Sequence, residues 1–218
     1  MNENSVPAPA PLSSSPRSRS VVPRLYPGKL TPPKQSKDAV ERARIIESLL
    51  DSDCPIVAFV APAGFGKTMV MVQLYDATRA AGVASSWLSI DDRDNDFSRF
   101  FIYLREALMS TAQLDWQPPR GVPLDSETAF TNLRAQAFEF LDAVAATPHP
   151  FALFIDDVEK VQSPDVLWII NELIRSLNPG QRVIIGSRTM RALPTSSLEM
   201  CGRICRVDPE ALRFDSEE

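Results

Sequence analysis

An α/β fold with a parallel sheet of about five strands is predicted for this chain of 218 residues. Short runs of apolar residues, such as those at 56–60 and 151–155, are typical of strands buried on both faces. Segments with apolar residues at helical spacing lie between these runs. Strands that alternate with helices imply right-handed crossovers and helices on both faces of the sheet. We therefore expect a ligand at the carboxyl ends of the strands.

The individual elements follow from periodicity and from local start and stop signals. The pair Ser163-Pro164 is typical of a helix start, Ser126 is the expected N-cap of a long helix, and Asn178-Pro179-Gly180 ends the last helix. The predicted helices are 38–50, 68–81, 97–111, 126–146 and 164–177, and the predicted strands are 56–60, 85–90, 151–155, 182–186 and 203–207.

Composition excludes several classes of protein. Hydrophobic residues make up 44% and charged residues 23%, ordinary values for a soluble globular chain. The net charge of −5 disfavours non-specific binding to nucleic acid. Three cysteines are too few for a disulfide framework, which favours the reducing cytoplasm. No apolar run is long enough to span a bilayer, and the first residues lack the apolar core of a secretory signal.

The chain divides into three parts by composition. Residues 1–22 are rich in Pro and Ser and are predicted to be a disordered tail. Residues 23–210 contain the alternating strands and helices and are predicted to form one domain. Residues 211–218 are expected to begin a further module.

A phosphate-binding loop is predicted directly after the first strand. The segment APAGFGKT matches the pattern G-x-x-x-x-G-K-[ST], except that Ala61 replaces the first glycine. In such a loop, backbone amides and the start of the next helix face phosphate oxygens. Lys67 would neutralise the β- and γ-phosphates, and the Thr68 hydroxyl would bind Mg²⁺. The predicted nucleotide-binding residues here are Ala63, Gly64, Phe65, Gly66, Lys67, Thr68 and Met69.

Two carboxylates follow the third predicted strand in FALFIDD. An apolar strand that ends in paired Asp residues is the Walker B pattern of ATP-hydrolysing P-loop proteins. Asp156 is predicted to hold Mg²⁺ together with Thr68, and Asp157 to orient or deprotonate the attacking water. The fourth strand ends in Ser187-Arg188, where Arg188 is predicted to contact the γ-phosphate. Asp157, Arg188 and Lys67 are therefore the predicted catalytic residues.

Other polar clusters are better explained by structure than by chemistry. The run Asp91 to Asp96 lacks the glycine and the distal glutamate of a calcium loop, so we expect a solvated loop in which Asp96 or Ser98 caps the next helix. Cys201 and Cys205 lack the C-x-x-C spacing of metal or redox sites, which favours a structural role. His149 has no nucleophile pattern near it in the sequence, so a catalytic triad is not supported.

The order of the motifs resembles one family. GKLTPPK, VERARI, APAGFGKT, WLSIDDRDND, FALFIDDVEK and VIIGSR occur in sequence. In this order they resemble the N-terminal nucleotide-binding domain of MalT-like, large LuxR-type transcription regulators, over about residues 24 to 218. These regulators are signal-transduction ATPases with numerous domains (STAND), so the resemblance implies a P-loop NTPase fold of the ASCE/STAND type. It also implies a cytoplasmic switch that holds ADP at rest, holds ATP when active, and self-associates when ATP is bound.

The resemblance also assigns residues. Arg42 and Arg44 match an entry helix that lies beside the nucleotide, with Ile45 where Leu is usual. The family carries an aromatic or His-containing stretch after the Asp pair, whereas this chain has Val158-Glu159-Lys160. A DNA-binding module like that of the family is not among these residues, nor is a membrane segment. We expect a fragment, an excised domain or a naturally shortened protein.

Three functions are compatible with these motifs. The first is a Mg²⁺-dependent ATP/ADP switch with slow hydrolysis. The second is an AAA-like ATPase or loader, which would need an arginine finger in trans and fast turnover. The third is a non-hydrolysing interaction module that keeps ADP as a structural ligand. A nucleotide kinase is disfavoured, because no arginine-rich lid segment follows the helix of the phosphate loop.

Overall fold

The fold is described from a computed structural model of the chain. It describes residues 25–35, 40–114, 116–117, 126–189 and 202–213, without the side chains of 126–130. The predicted tail at 1–22, Cys201, and most of the module predicted at 211–218 lie outside the described residues. Among the described helices, none combines the length and the apolar character needed to cross a membrane.

The core of the fold is a sheet of five parallel strands in the order β2-β3-β4-β1-β5. The strands are β1 (Ile56–Val60), β2 (Ala84–Ser89), β3 (Phe151–Asp156), β4 (Gln181–Ser187) and β5 (Ile204–Val207). The side chains of β1 and β3 are buried throughout, as their continuous apolar runs predict. Because β4 lies between β1 and β3, the segments that follow these three strands meet at one edge of the sheet.

Five helices cover both faces of this sheet. They are α1 (Ala43–Leu50), α2 (Lys67–Ala80), α3 (Phe97–Met109), α4 (Ser126–Ala146) and α5 (Pro164–Ser176). Helices α3, α4 and α5 share one apolar core with one face of the sheet, and α1 and α2 share a second core with the other. The predicted α/β architecture is confirmed: a parallel sheet of five strands has helices on both faces.

Helix α1 begins later than the sequence predicts. It begins at Ala43, whereas the periodicity predicts a start at residue 38. The side-chain amide of Gln73 donates to the carbonyl oxygen of Val40 at 2.8 Å and accepts from the backbone nitrogen of Arg42 at 2.9 Å. These two bonds hold residues 40–42 against α2 in a non-helical conformation. The spacing of apolar residues along the segment cannot predict a contact with a residue that lies this far away in the sequence.

A disulfide bond joins Cys54, which precedes β1, to Cys205 in β5. The sequence did not predict this pair, because the two residues are 151 positions apart. The bond lies near the amino end of β1, away from the phosphate loop at its carboxyl end. Its place between two paired strands fits the structural role predicted for Cys205.

Candidate nucleotide-binding site

The segment after β1 forms a tight loop that leads into α2. Gly64 and Gly66 have φ angles of 87° and 78°, in the left-handed region that glycine adopts without strain. Gly66 is the N-cap of α2. The backbone N–H groups of the first helical turn have no partner within the helix, and they point toward the loop. Ala61 is buried in the core shared by α1 and α2 and has no positive φ, which explains why alanine is tolerated where the pattern has glycine.

Lys67 lies folded against its own loop. Its Nζ donates to the carbonyl oxygens of Ala61 at 2.7 Å and Pro62 at 3.1 Å, and the residue is 8% exposed. Among the described residues, the hydrogen-bond partners of this nearly buried ammonium are neutral oxygens, which suits it to receive an anion. A cavity lies in front of Lys67, and we call it the phosphate cavity. It has a volume of about 350 Å³ and is lined by Ala63, Gly64, Gly66, Lys67, Thr68, Met69, Asp157 and Arg188.

The two predicted magnesium ligands are in direct contact. The Thr68 hydroxyl donates to Asp156 Oδ2 at 2.7 Å, which joins the start of α2 to the end of β3. Asp156 is 5% exposed, and burial raises the pKa of its carboxyl group. The nearby charge of Asp157 raises this pKa further, whereas the bond from Thr68 lowers it. A hydroxyl and a buried carboxylate at this spacing are the hard oxygen donors that Mg²⁺ prefers.

A glycine in β4 makes room for this carboxylate. A Cβ atom at Gly186 would collide with Asp156 Oδ1 and would lie 2.5 Å from the sulfur of Met71. Gly186 is therefore part of the site, although it was not among the predicted residues. A glycine inside an apolar strand often marks such a close approach, so the signal was present in RVIIGSR.

Asp157 has a strained backbone and a partner of its own. Its φ and ψ are 63° and 35°, a left-handed conformation that Asp and Asn adopt more readily than most residues. Its Oδ2 accepts from Lys160 Nζ at 2.6 Å, and this bond is the main cause that raises the pKa of the Lys160 ammonium. Asp157 lines the phosphate cavity, with its carboxylate held by Lys160.

Arg188 lies at the same cavity and is also paired. Its Nε is 2.9 Å from Glu159 Oε1, and its backbone nitrogen donates to Glu159 Oε2 at 3.1 Å. The contact with Oε1 is an ion pair without hydrogen-bond alignment, since that buried oxygen has no hydrogen-bond partner among the described residues. Glu159 and Lys160 are not among the predicted site residues, although they belong to the segment Val158-Glu159-Lys160 where this chain departs from the MalT-like family.

The loop after β2 braces the loop that carries these two residues. Asn95 Oδ1 accepts from the backbone nitrogens of Gln162 at 2.6 Å and Ser163 at 2.9 Å, and its Nδ2 donates to the carbonyl oxygen of Lys160 at 3.0 Å. Asp96 caps α3 by accepting from the backbone nitrogen of Arg99, as predicted. The run at 91–96 is thus a structural loop tied to the segment after the Asp pair.

The structure separates the two predicted entry-helix arginines. Arg42 lines a second, mainly apolar cavity of about 440 Å³ beside the phosphate loop, together with Phe65, Met69 and Leu212. Its Nη2 donates to the carbonyl oxygens of Ala211 and Arg213 at 3.2 and 2.8 Å. Arg44 lines neither this cavity nor the phosphate cavity but faces a groove between α1 and β5.

Comparison with known proteins identifies relatives along almost the whole chain. MalT transcriptional regulators are 28% identical in Vibrio campbellii and 27% in Vibrio cholerae, each over 193 residues or 88% of this chain. The MalT regulator of Cronobacter sakazakii is 26% identical over 201 residues, or 89% of this chain. The chain spans about a fifth of the length of these relatives, 21% in each case. No family model matches.

Two solved structures show a partial likeness. AMPPCP-bound DnaA from Aquifex aeolicus is 13% identical with a TM-score of 0.38, over 76% of this chain and 44% of that chain. A chain of the HORMA:CdnC:Trip13 complex from E. coli MS115-1 is 16% identical with a TM-score of 0.39, over 81% and 53%. TM-scores this low support no argument about the function of this chain. The MalT transcriptional regulators are homologues of this chain over 88% of its length, which confirms the resemblance that its motifs indicate.

Proposed function

We propose that this chain is the Mg²⁺-dependent ATP- and ADP-binding switch domain of a MalT-like regulator, with slow ATP hydrolysis. One observation carries the proposal: Lys67, Thr68, Asp156, Asp157 and Arg188 meet around one loop whose amides begin α2. A helix start preceded by left-handed glycines is an anion site, and a lysine inside it adds the charge that phosphates need.

The metal would be held by Thr68 and Asp156. Their 2.7 Å hydrogen bond places two oxygen ligands side by side. A bound Mg²⁺ would take the place of the Thr68 hydroxyl proton as the partner of the Asp156 carboxylate. When bound, Mg²⁺ supplies charge neutralisation to the β- and γ-phosphates. The cation also offsets the cost of keeping Asp156 ionised while it is buried.

For hydrolysis we assign Asp157 as the base that orients or deprotonates water. Its carboxylate lines the phosphate cavity, and its bond to Lys160 holds it in position there. Arg188, which follows the neighbouring strand β4, would contact the γ-phosphate. Because Asp157 is paired and no other base is assigned, we expect slow turnover, as suits a switch rather than a motor.

The nucleoside would occupy the apolar cavity next to the loop. Phe65 of the loop, Met69 of α2 and Leu212 after β5 supply apolar walls, and Arg42 fixes the 211–213 segment through two hydrogen bonds to carbonyl oxygens. Arg42 would thus act on the nucleotide by holding this wall in place. Arg44 is not assigned a contact with the nucleotide.

The relatives support further proposals about the whole protein. We propose that the protein acts in the cytoplasm, although the disulfide bond between Cys54 and Cys205 is one that a reducing compartment disfavours. We also propose that the domain self-associates when ATP is bound.

The test is calorimetric titration of the full chain with ATP and ADP in the presence of Mg²⁺. Lys67→Ala should weaken both by about ten- to a hundredfold, because a charge-assisted contact to phosphate contributes roughly 1.5 to 3 kcal/mol. Arg79→Ala is the matched control, since this exposed cation lies near the other end of α2, about 18 Å away at 1.5 Å per residue. Equal affinities in all three proteins would refute the site.

A further inference from the structure

The loop after β3 provides ion-pair partners for Asp157 and Arg188, two of the residues proposed to act at the γ-phosphate. Lys160 holds Asp157, and two positions along the chain from Asp157, Glu159 holds Arg188. The Glu159 side chain is 15% exposed, whereas that of Arg188 is 56% exposed and can move. The carboxylate therefore stays in place, and the guanidinium is the group that can exchange partners.

A third phosphate would compete with Glu159 for this guanidinium. Arg188 lines the phosphate cavity, so its charge is within reach of a ligand that extends beyond the loop. An arginine that turns to the γ-phosphate gives up its ion pair and leaves a largely buried carboxylate without that charge. Losing one partner of a buried pair is costly, because the remaining charge is poorly solvated.

Binding of ADP does not require the ion pair between Arg188 and Glu159 to break. In the proposed site a β-phosphate would lie within the loop amides and against Lys67, whereas Glu159 pairs with Arg188. The ion pair of Arg188 then stays intact. The competition acts only on the third phosphate, which makes it a determinant of ligand choice rather than of general affinity.

We propose that Glu159 is a specificity-determining residue that biases this site toward the diphosphate by competing with the γ-phosphate for Arg188. The inference rests on the proposed function of the site. It gives the switch a built-in resting preference for ADP, set by a residue three positions after Asp156. ATP must displace an ion pair before Arg188 can report its presence.

The experiment measures the ratio of ATP to ADP affinity, with Mg²⁺, by calorimetry on the full chain. Glu159→Gln keeps the shape and an oxygen for the backbone nitrogen of Arg188 but removes the charge. We expect ATP to bind about three- to tenfold more tightly and ADP to change less than twofold, the size typical of a partly exposed ion pair. Glu172→Gln is the matched control, because Glu172 is also ion-paired, to Arg175 at 2.9 Å, but lies on α5 outside the site.

Arg188→Ala supplies the second arm of a double-mutant cycle. It should lower the preference for ATP, and adding Glu159→Gln to it should change the ratio no further. The inference is overturned if Glu159→Gln leaves the ratio unchanged, shifts it equally without Arg188, or shifts it no more than Glu172→Gln. Those results leave nucleotide binding itself intact. Loss of the proposed function would look different: neither ATP nor ADP would bind the parent protein, and the inference would fall with it.

Discussion

The carboxylate of Asp156 lies against the backbone of Gly186 and occupies the space that a side chain at position 186 would need. Asp156 is the last residue of β3 and Gly186 is the second-last residue of the neighbouring strand β4. The absence of a side chain at Gly186 leaves room for the carboxylate to accept from the Thr68 hydroxyl. The position of a predicted metal ligand thus depends on a residue that carries no functional group.

Gly186→Ala should therefore impair magnesium binding. The added methyl group must displace the Asp156 carboxylate or the sulfur of Met71. We expect the gain in ATP affinity on adding Mg²⁺ to fall severalfold, and the free energy of unfolding to fall by about 1 to 3 kcal/mol from overpacking. Gly28→Ala is the control, because a Cβ there meets no atom within 4 Å. An unchanged magnesium effect would show that Asp156 tolerates the shift.

Asp156→Asn should stabilise the protein in the absence of nucleotide and metal. Burial raises the pKa of Asp156 above its ordinary 3.8, so the folded state binds this proton more readily than the unfolded state. That contribution to stability is present at low pH and is lost as pH rises through the raised pKa, which leaves a costly buried charge at pH 7. The variant removes the charge, so its Tm should be higher at pH 7.

The pH dependence checks this account of Asp156. The gain in Tm should shrink as pH falls through the raised pKa of Asp156, because the parent carboxyl group then becomes protonated. Each kcal/mol corresponds to about 2 to 4 °C in a protein of this size. Asp142→Asn, on an exposed face of α4, should shift Tm little at any pH. A variant that is less stable than the parent at pH 7 would contradict the cost assigned to the buried charge.

Asp157→Asn should separate binding from hydrolysis. Asn tolerates the left-handed backbone at this position and keeps a hydrogen-bond acceptor, but it is not a base. Single-turnover phosphate release should fall by about 10² to 10⁴ if general-base assistance is lost, while Mg²⁺-ATP affinity stays close to that of the parent. Phosphate release at the parent rate would remove Asp157 from the mechanism.

Lys29 should matter for stability, whereas the residues before the domain should not. Its ammonium pairs with Asp91 at 2.9 Å and with Asp94, which is 1% exposed. Arg99 still pairs with Asp94 when Lys29 is removed, so Lys29→Met should cost about 1 to 3 kcal/mol rather than the full price of an isolated buried charge. Deletion of residues 1–22 should leave both Tm and ATP affinity unchanged.

Chemical denaturation of these two variants measures the difference. The deletion ends before Leu25, which packs against the larger core, and before Tyr26, whose backbone nitrogen donates to the Tyr103 hydroxyl at 3.0 Å. A deletion as destabilising as Lys29→Met would mean that the Pro- and Ser-rich segment contributes to folding after all.

Local patterns predicted the sheet and the phosphate loop because their signals are contained in a few adjacent residues. The apolar runs of β1 and β3 and the GKT that opens α2 each report their own conformation. Partner choice across the chain carries no such signal. Glu159 meets Arg188 across 29 positions, and Gln73 reaches Arg42 across 31, so neither contact could be predicted from spacing.

Backbone amide NMR of the full chain, titrated with Mg²⁺-ATP, tests the central claim most directly. The account predicts that the largest shifts fall on residues 63–69, on Asp157 and on Arg188, and that Lys67→Ala abolishes them at the same ligand concentration. Shifts centred instead on the groove between α1 and β5, near Arg44 and Arg206, or no shifts at millimolar ATP, would contradict a nucleotide site at this loop.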